Sequence, residues 1–243
     1  MELNGDLSAG ALAEILPGRA LRAYPALLST ESEAAAWARG DAPEGALVVA
    51  GYQASPRGRA GISWHVDQDN DLAFSLILRP DLPAVREGWM YTVATSGLAD
   101  SLGEDARIEW PDEVHVRDRR AGAVGVQMGT PGSHQWAIIT IHLLGAPPPR
   151  GPRLRQVVDA VEARYRSRDE EILRDYLRRC RTIGRRVIAR LLPLGPAGPT
   201  VTGEAVGSLP DGGLVVLTGE GNRIVVRPQY LGFLERQEDA AYP

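Results

Sequence analysis

Gln53-Ala54-Ser55-Pro56-Arg57-Gly58-Arg59-Ala60-Gly61-Ile62-Ser63-Trp64 is the stretch on which the reading of this chain turns. It lies between two apolar runs, residues 46–50 and 72–78, whose lengths and bounding turn residues predict buried strands. A loop tied to strands at both ends, with Arg57 and Arg59 around Gly58, suits an anionic ligand. Guanidinium forks match phosphate and carboxylate geometry, and glycine lets backbone N–H groups come close. The same pattern also describes a solvated arginine hairpin, so the neighbours of the loop have to decide.

Upstream, Ser29-Thr30 precedes an alanine-rich helix expected over residues 31–38. Thr30 and Glu33 have capping-box spacing, which leaves backbone N–H groups open at the helix start. Residues 11–28 alternate short apolar segments with Pro17 and Pro25 and predict short elements. A winged-helix DNA-binding head does not fit in front of residue 29.

Downstream, Asp67-Gln68-Asp69-Asn70-Asp71 is a polar turn, and residues 72–78 form a strand closed by Pro80. A helix is expected over residues 84–103, then a strand over 108–116 broken by Pro111. The charged turn 117–120, a strand over 121–127, a turn over 129–132 and a strongly apolar strand over 136–144 follow. A proline-stiffened connector leads to helices over 153–166 and 169–182, with Ser167 and Glu170 again at capping-box spacing. Gly195-Pro196-Ala197-Gly198-Pro199 reads as a linker to three short strands with glycine-rich turns, a small barrel. The expected fold is α+β: a mixed, largely antiparallel sheet with helices on one face, then the barrel. The expected domains are residues 1–194 (core 27–190), a linker at 195–199 and a C-terminal module over 200–243.

Composition narrows the function. At 243 residues and net charge −4, no basic field points to nucleic acid or an anionic membrane. No apolar run approaches the length that spans a bilayer, and the N-terminus lacks a signal-peptide pattern, which predicts a cytoplasmic protein. The single cysteine, Cys180, excludes an internal disulfide and a cysteine-based metal cluster, and its apolar helical setting predicts a buried thiol. All 27 basic residues are arginine, so no step can use a lysine amine of this chain. His65, His115, His134 and His142 share no metal-ligand spacing, and neither a Ser–His–Asp arrangement nor a Gly-x-x-x-x-Gly-Lys phosphate loop is present.

In this order the pieces resemble the biotin protein ligase family. The resemblance rests on Ser29-Thr30, Gln53, Arg57-Gly58-Arg59, Gly61, Trp64, Leu78-Arg79-Pro80, Trp110-Pro111, Ala121-Gly122, the segment 176–187 and the C-terminal module. It covers the chain from about residue 12 to 236. It implies a two-step reaction in which biotin attacks the α-phosphate of MgATP to give biotinyl-AMP. A lysine of an acceptor carrier domain then takes the acyl group. It further implies that Ser29, Thr30 and Gln53 hold the ureido end of biotin, that Arg57 and Arg59 grip carboxylate and α-phosphate, and that Trp64 packs on the adenine side. Ser29 and Thr30 as mere helix caps, and Trp64 as core, stand beside those roles. Homodimerisation is common in the family and is not legible in this sequence.

Three departures fall on the chemistry. The family's Lys-Trp-Pro-Asn-Asp reads Glu109-Trp110-Pro111-Asp112-Glu113, where Asp112 and Glu113 are the candidate Mg²⁺ ligands. The catalytic turn lysine is replaced by Arg119 or Arg120, according to where a one-residue deletion lies. The glycine floor Gly-Ile-Gly-Ile-Asn reads Thr140-Ile141-His142-Leu143-Leu144, so side chains stand where a ligand would lie. In the arginine loop, Pro56 replaces a glycine, and Ala60 and Ile62 replace arginines. The readings that remain are a working biotin ligase, a ligase-fold protein that has lost adenylation and binds a ligand or partner, and another acyl-adenylating enzyme such as a lipoate-type ligase.

Overall fold

Strands β3 (Leu72–Leu78) and β7 (Ala137–Leu143), each buried along its whole length, lie side by side in a seven-stranded sheet of the computed structural model. The described residues are 5–129, 135–195 and 197–236; His134 and most of the expected 129–132 turn lie outside them. On one side of this pair stand β1 (Leu21–Leu27) and β2 (Leu47–Gln53), on the other β6 (Arg119–Met128), β5 (Glu113–Val116) and β4 (Ala106–Glu109), in the order β1-β2-β3-β7-β6-β5-β4. Among the described residues, the β1–β2 pair is the one parallel strand pair of this sheet. Pro25, which cannot donate to a ladder, stands in edge strand β1 outside the β1–β2 pairs. Arg117 and Asp118 both take positive φ, as a two-residue hairpin between β5 and β6 requires.

Both faces of the central strands are apolar. Leu72, Phe74, Leu76 and Leu78 join Ile139, Ile141 and Leu143 in the main core with α3 (Trp89–Leu102) and α4 (Gly151–Tyr165). On the opposite face Ile77 and Ile138 pack on Ala34, Ala35 and Ala38 of α2 (Thr30–Arg39). The expected helices on one face therefore become helices on both. The physical reason is legible in β3, where Ile77 alternates with the leucines and needs its own cover. Each such side chain contributes about 1.5–3 kcal/mol on burial.

The second sheet is antiparallel and runs β11 (Arg223–Val226), β10 (Leu214–Leu217), β9 (Thr200–Ser208), β8 (Arg186–Leu191), β12 (Leu231–Arg236). Strand β8 precedes the segment expected to be a linker, so residues 195–199 join two strands of one sheet, and a boundary at 194 falls inside it. Proline and glycine mark an inter-strand turn and an inter-domain linker alike. The two sheets are joined closely. Trp110 Nε1 donates to the Gly212 carbonyl at 2.9 Å, and Arg86 Nε donates to the Pro210 carbonyl at 3.2 Å. Gly212 has φ +79°, and a Cβ there would lie 2.1 Å from the Gly88 carbonyl oxygen. Among the described residues no helix is long and apolar enough to cross a membrane.

Candidate functional site

The arginine loop lies directly on the first sheet. Arg57 bridges to Ser63, and a turn of 3₁₀ helix at Arg59–Gly61 carries Ala60 and Gly61 at positive φ. A Cβ on Gly125 of β6 would come 3.2 Å from Gly58 Cα, and one on Gly58 would meet the Trp64 ring at 2.3 Å. Glycine at both positions is what lets the loop close on the sheet, with Trp64 folded back over it. The Trp64 ring reaches His142 of β7, at 5.4 Å between centroids and 38° between planes.

The two arginines diverge. Arg57 is exposed; burial pushes the Glu31 carboxyl at the start of α2 up, against a smaller opposing pull from the Arg57 charge. Arg59 is 6 % exposed and turned into the molecule. Its Nε stands 3.2 Å from Asp112 Oδ2, and its guanidinium donates to the carbonyls of Leu231 and Gly232 in β12. Burial pushes the Asp112 carboxyl up against the opposing pull of Arg59.

Ser29, Thr30 and Gln53 are brought together. Ser29 Oγ caps α2, accepting from Ser32 N at 3.1 Å and donating to Ser32 Oγ at 2.8 Å. Gln53 Oε1 accepts from Thr30 N at 2.8 Å, and its Nε2 donates to the Ala73 carbonyl at 3.3 Å. Ser75 Oγ donates to Thr30 Oγ1 at 3.0 Å and lies 2.9 Å from Thr140 Oγ1. Ser29 is 2 % exposed and Thr30 0 %. The hydroxyls expected to face a ligand are thus engaged inside the protein, Ser29 with Ser32 and Thr30 with Ser75, and Thr140, from the altered floor, joins Ser75. Ser75 escaped the sequence reading, although a lone hydroxyl in an apolar strand was its signal.

His142 is buried, with Nε2 2.9 Å from Asp71 Oδ2. Burial holds its pKa below the usual histidine range, with Asp71 pulling the other way. Asp71, which the sequence shows only as part of a polar turn, also accepts through its carboxylate from Gly145 N and Asp67 N, each at 3.1 Å.

An open cleft of about 280 Å³ lies between the loop, the β4–β5 turn and β12, with Arg59, Trp64, Asp112, Glu113, Arg120 and Phe233 among its walls. Arg120 lines it, and Arg119, its neighbour in the strand, does not. Arg120 Nε is 3.2 Å from Glu113 Oε1, and Glu113 Oε2 accepts from His115 Nε2 at 2.9 Å. Arg181 can only donate, so its 2.9 Å contact makes His115 Nδ1 an acceptor and puts the proton on Nε2. Arg181 and Arg236 both pair with Glu109. Burial raises Glu113, but the His115 hydrogen bond and Arg120 outweigh it, so its carboxyl is held low; Arg236 and Arg181 do the same for Glu109.

This donor set does not fit Mg²⁺. Asp112 and Glu113 each face a guanidinium, and although ligand atoms of Glu109, Glu113 and His115 approach within 4.8 Å, Arg181 occupies the tautomer that metal binding through Nε2 would need.

No protein-family model matches the chain. It is 32 % identical over 115 residues to the bifunctional ligase/repressor BirA of Bacillus subtilis, covering 46 % of this chain and 35 % of the relative. The chain thus spans about a third of the length of the Bacillus relatives it matches. It is 25 % identical over 213 residues to the biotin–[acetyl-CoA-carboxylase] ligase of Mycobacterium tuberculosis, covering 75 % of this chain and 77 % of that one. The biotin protein ligase of Aquifex aeolicus in complex with biotin and ATP superposes with TM-score 0.67 at 19 % identity, over 90 % of this chain and 99 % of that one. A biotin protein ligase-like protein of unknown function from Silicibacter gives 0.66 at 14 % identity, over 88 % and 96 %. At those identities the solved structures show the fold alone. With the sequence relatives added, the chain is similar to biotin protein ligases in sequence and in fold.

Proposed function

We propose that this biotin protein ligase-like protein binds a small anionic ligand beside its arginine loop and does not adenylate biotin. The observation that carries the reading is the polar cluster Thr30–Gln53–Ser75–Thr140, whose groups are hydrogen-bonded to one another and to the backbone, with Ser29 engaged by Ser32 beside it, where the resemblance puts the ureido end of biotin. His142 under Trp64 adds bulk where the family pattern has glycine. Arg57 supplies the exposed cation, and Arg120 the cation on the cleft wall. In this reading Asp112 and Glu113 pair with arginine and hold no metal.

A working ligase is the second reading, favoured because Arg120, one of the two candidates to stand in for the turn lysine, lines the cleft wall. Its substrates would be biotin and MgATP, and its partner the carrier domain of a carboxylase. Both readings set the chain in the cytoplasm, in keeping with the buried free thiol of Cys180, and leave the β1 edge open to a second copy. They divide the chain into a ligase-like body and an SH3-like module beginning at β8 rather than after residue 199.

Incubation with biotin, MgATP and a biotin-acceptor domain, followed by acceptor mass, separates them. We expect an unmodified acceptor while an authentic ligase acts in parallel; a biotinylated acceptor would establish the second reading.

A further inference from the structure

Arg120 and Glu113 face each other on the wall of the cleft, Nε to Oε1 at 3.2 Å, and both reach solvent there, their side chains 37 % and 33 % exposed. The contact is ionic without being a hydrogen bond. Among the described residues Arg120 donates no hydrogen bond, and the Glu113 carboxylate accepts only at Oε2, from His115. The other carboxylates of the cleft are compensated: Asp112 faces Arg59, and Glu109 takes Arg181 and Arg236. What stands open is one guanidinium fork and one carboxylate oxygen, side by side, each with unused hydrogen-bonding capacity.

A partly exposed pair of this kind is held weakly, so a ligand can enter between its members. A plain carboxylate drawn to Arg120 would lie against Glu113, whose carboxyl is held low and is therefore charged at neutral pH. A plain amine drawn to Glu113 would meet Arg120 in the same way. We propose that the Arg120–Glu113 pair is a docking site for an α-amino acid, whose carboxylate takes the guanidinium and whose ammonium takes Glu113 Oε1. The inference rests on, and deepens, the reading of the site as one for a small ligand held by its anionic group. In an α-amino acid the ammonium nitrogen and the carboxylate carbon hang on one atom, about 2.5 Å apart, so its two charges match the spacing of the wall. An amino acid with its charges at opposite ends of a chain does not match it. The side chain is apolar and large, because Ile62, Trp64 and Leu234 line the same cleft and the Phe233 ring beside them is 50 % exposed.

The test is calorimetric titration of the wild-type chain with L-phenylalanine, with 3-phenylpropanoate, which lacks the ammonium, and with 2-phenylethylamine, which lacks the carboxylate; AMP serves as the reference anion. We expect phenylalanine to bind roughly tenfold more tightly than 3-phenylpropanoate, and the amine to bind most weakly. Glu113→Gln should bring the two acids level. A wild-type affinity for 3-phenylpropanoate or for the amine equal to that for phenylalanine would overturn the proposal without any variant. If none of the three binds while AMP does, the proposal fails and the anion-binding reading stands; if AMP also fails to bind, both fall.

Discussion

Replacing Arg59 by alanine tests how the loop, the cleft and the second sheet hold together. The substitution removes the Nε partner of Asp112 and the donors to the Leu231 and Gly232 carbonyls, all in a buried setting. Stripping one partner from a buried ion pair costs about 3–5 kcal/mol, because a charge is left without compensation. Asp112 can escape part of this by taking up a proton, since burial already pushes its carboxyl up. The lower end applies, about 3 kcal/mol, or a fall in Tm of about 10 °C for a chain of this size. The pH dependence has a definite sign. A carboxyl whose folded pKa is raised penalises folding fully above that value, and the penalty is relieved as pH falls toward the ordinary carboxylate range. The deficit of Arg59→Ala should therefore be largest at neutral and alkaline pH and shrink on mild acidification. Thermal unfolding followed by circular dichroism across pH, in the wild-type and Asp112→Asn backgrounds, reads both effects. In the Asp112→Asn background the same change should cost at least 1 kcal/mol less, as expected of coupled neighbours. A drop of under about 2 °C, or one independent of both pH and Asp112, would refute the coupling of Arg59 to Asp112.

Thr140→Gly with His142→Gly should raise biotin affinity about tenfold by calorimetry, an order of magnitude being about 1.4 kcal/mol; no change would mean that the pocket is closed elsewhere. Arg57→Ala should change the stability of the free protein by no more than about 0.5 kcal/mol and abolish stabilisation by AMP, because the side chain is exposed. Glu109→Gln should cost about 2 kcal/mol at neutral pH by breaking its pairs with Arg181 and Arg236. Because the Glu109 carboxyl is held low, that stabilisation is complete above the ordinary carboxylate range and vanishes as pH falls through the depressed value, so acid unfolding curves of wild type and variant should converge. Gly212→Ala combines a positive φ with a clash against Gly88 and should cost about 3 kcal/mol or more in urea unfolding, with an unaltered midpoint counting against the tight seam.

What the sequence announced was local. The strand Leu72–Leu78 matches its expected bounds because an apolar run between turn residues suffices to define it. Strand β1 went unread because Pro25 argues against any strand except an edge, and edge status depends on the rest of the sheet. The cover on both faces follows from β3 being apolar at successive positions, which an all-apolar run shows without saying which helix covers which face. At the site, residue types and order led to the loop, Arg120 and the cluster around Thr30. The destination of Arg59 could not be read, since its carbonyl partners lie 172 and 173 positions away. The pairing of His142 with Asp71 spans 71 positions and depends on register, which nothing local encodes.

The placement of β8 makes the chain a ready-made split protein. In the second sheet it stands between β9 and β12, so a fragment ending at residue 194 carries the missing middle strand of a sheet whose other strands all lie after residue 199. Cut within residues 195–199, the two pieces would each be incomplete, and strand insertion would draw them back together. Whatever is fused to their new ends would be brought into register by a ladder the protein already contains.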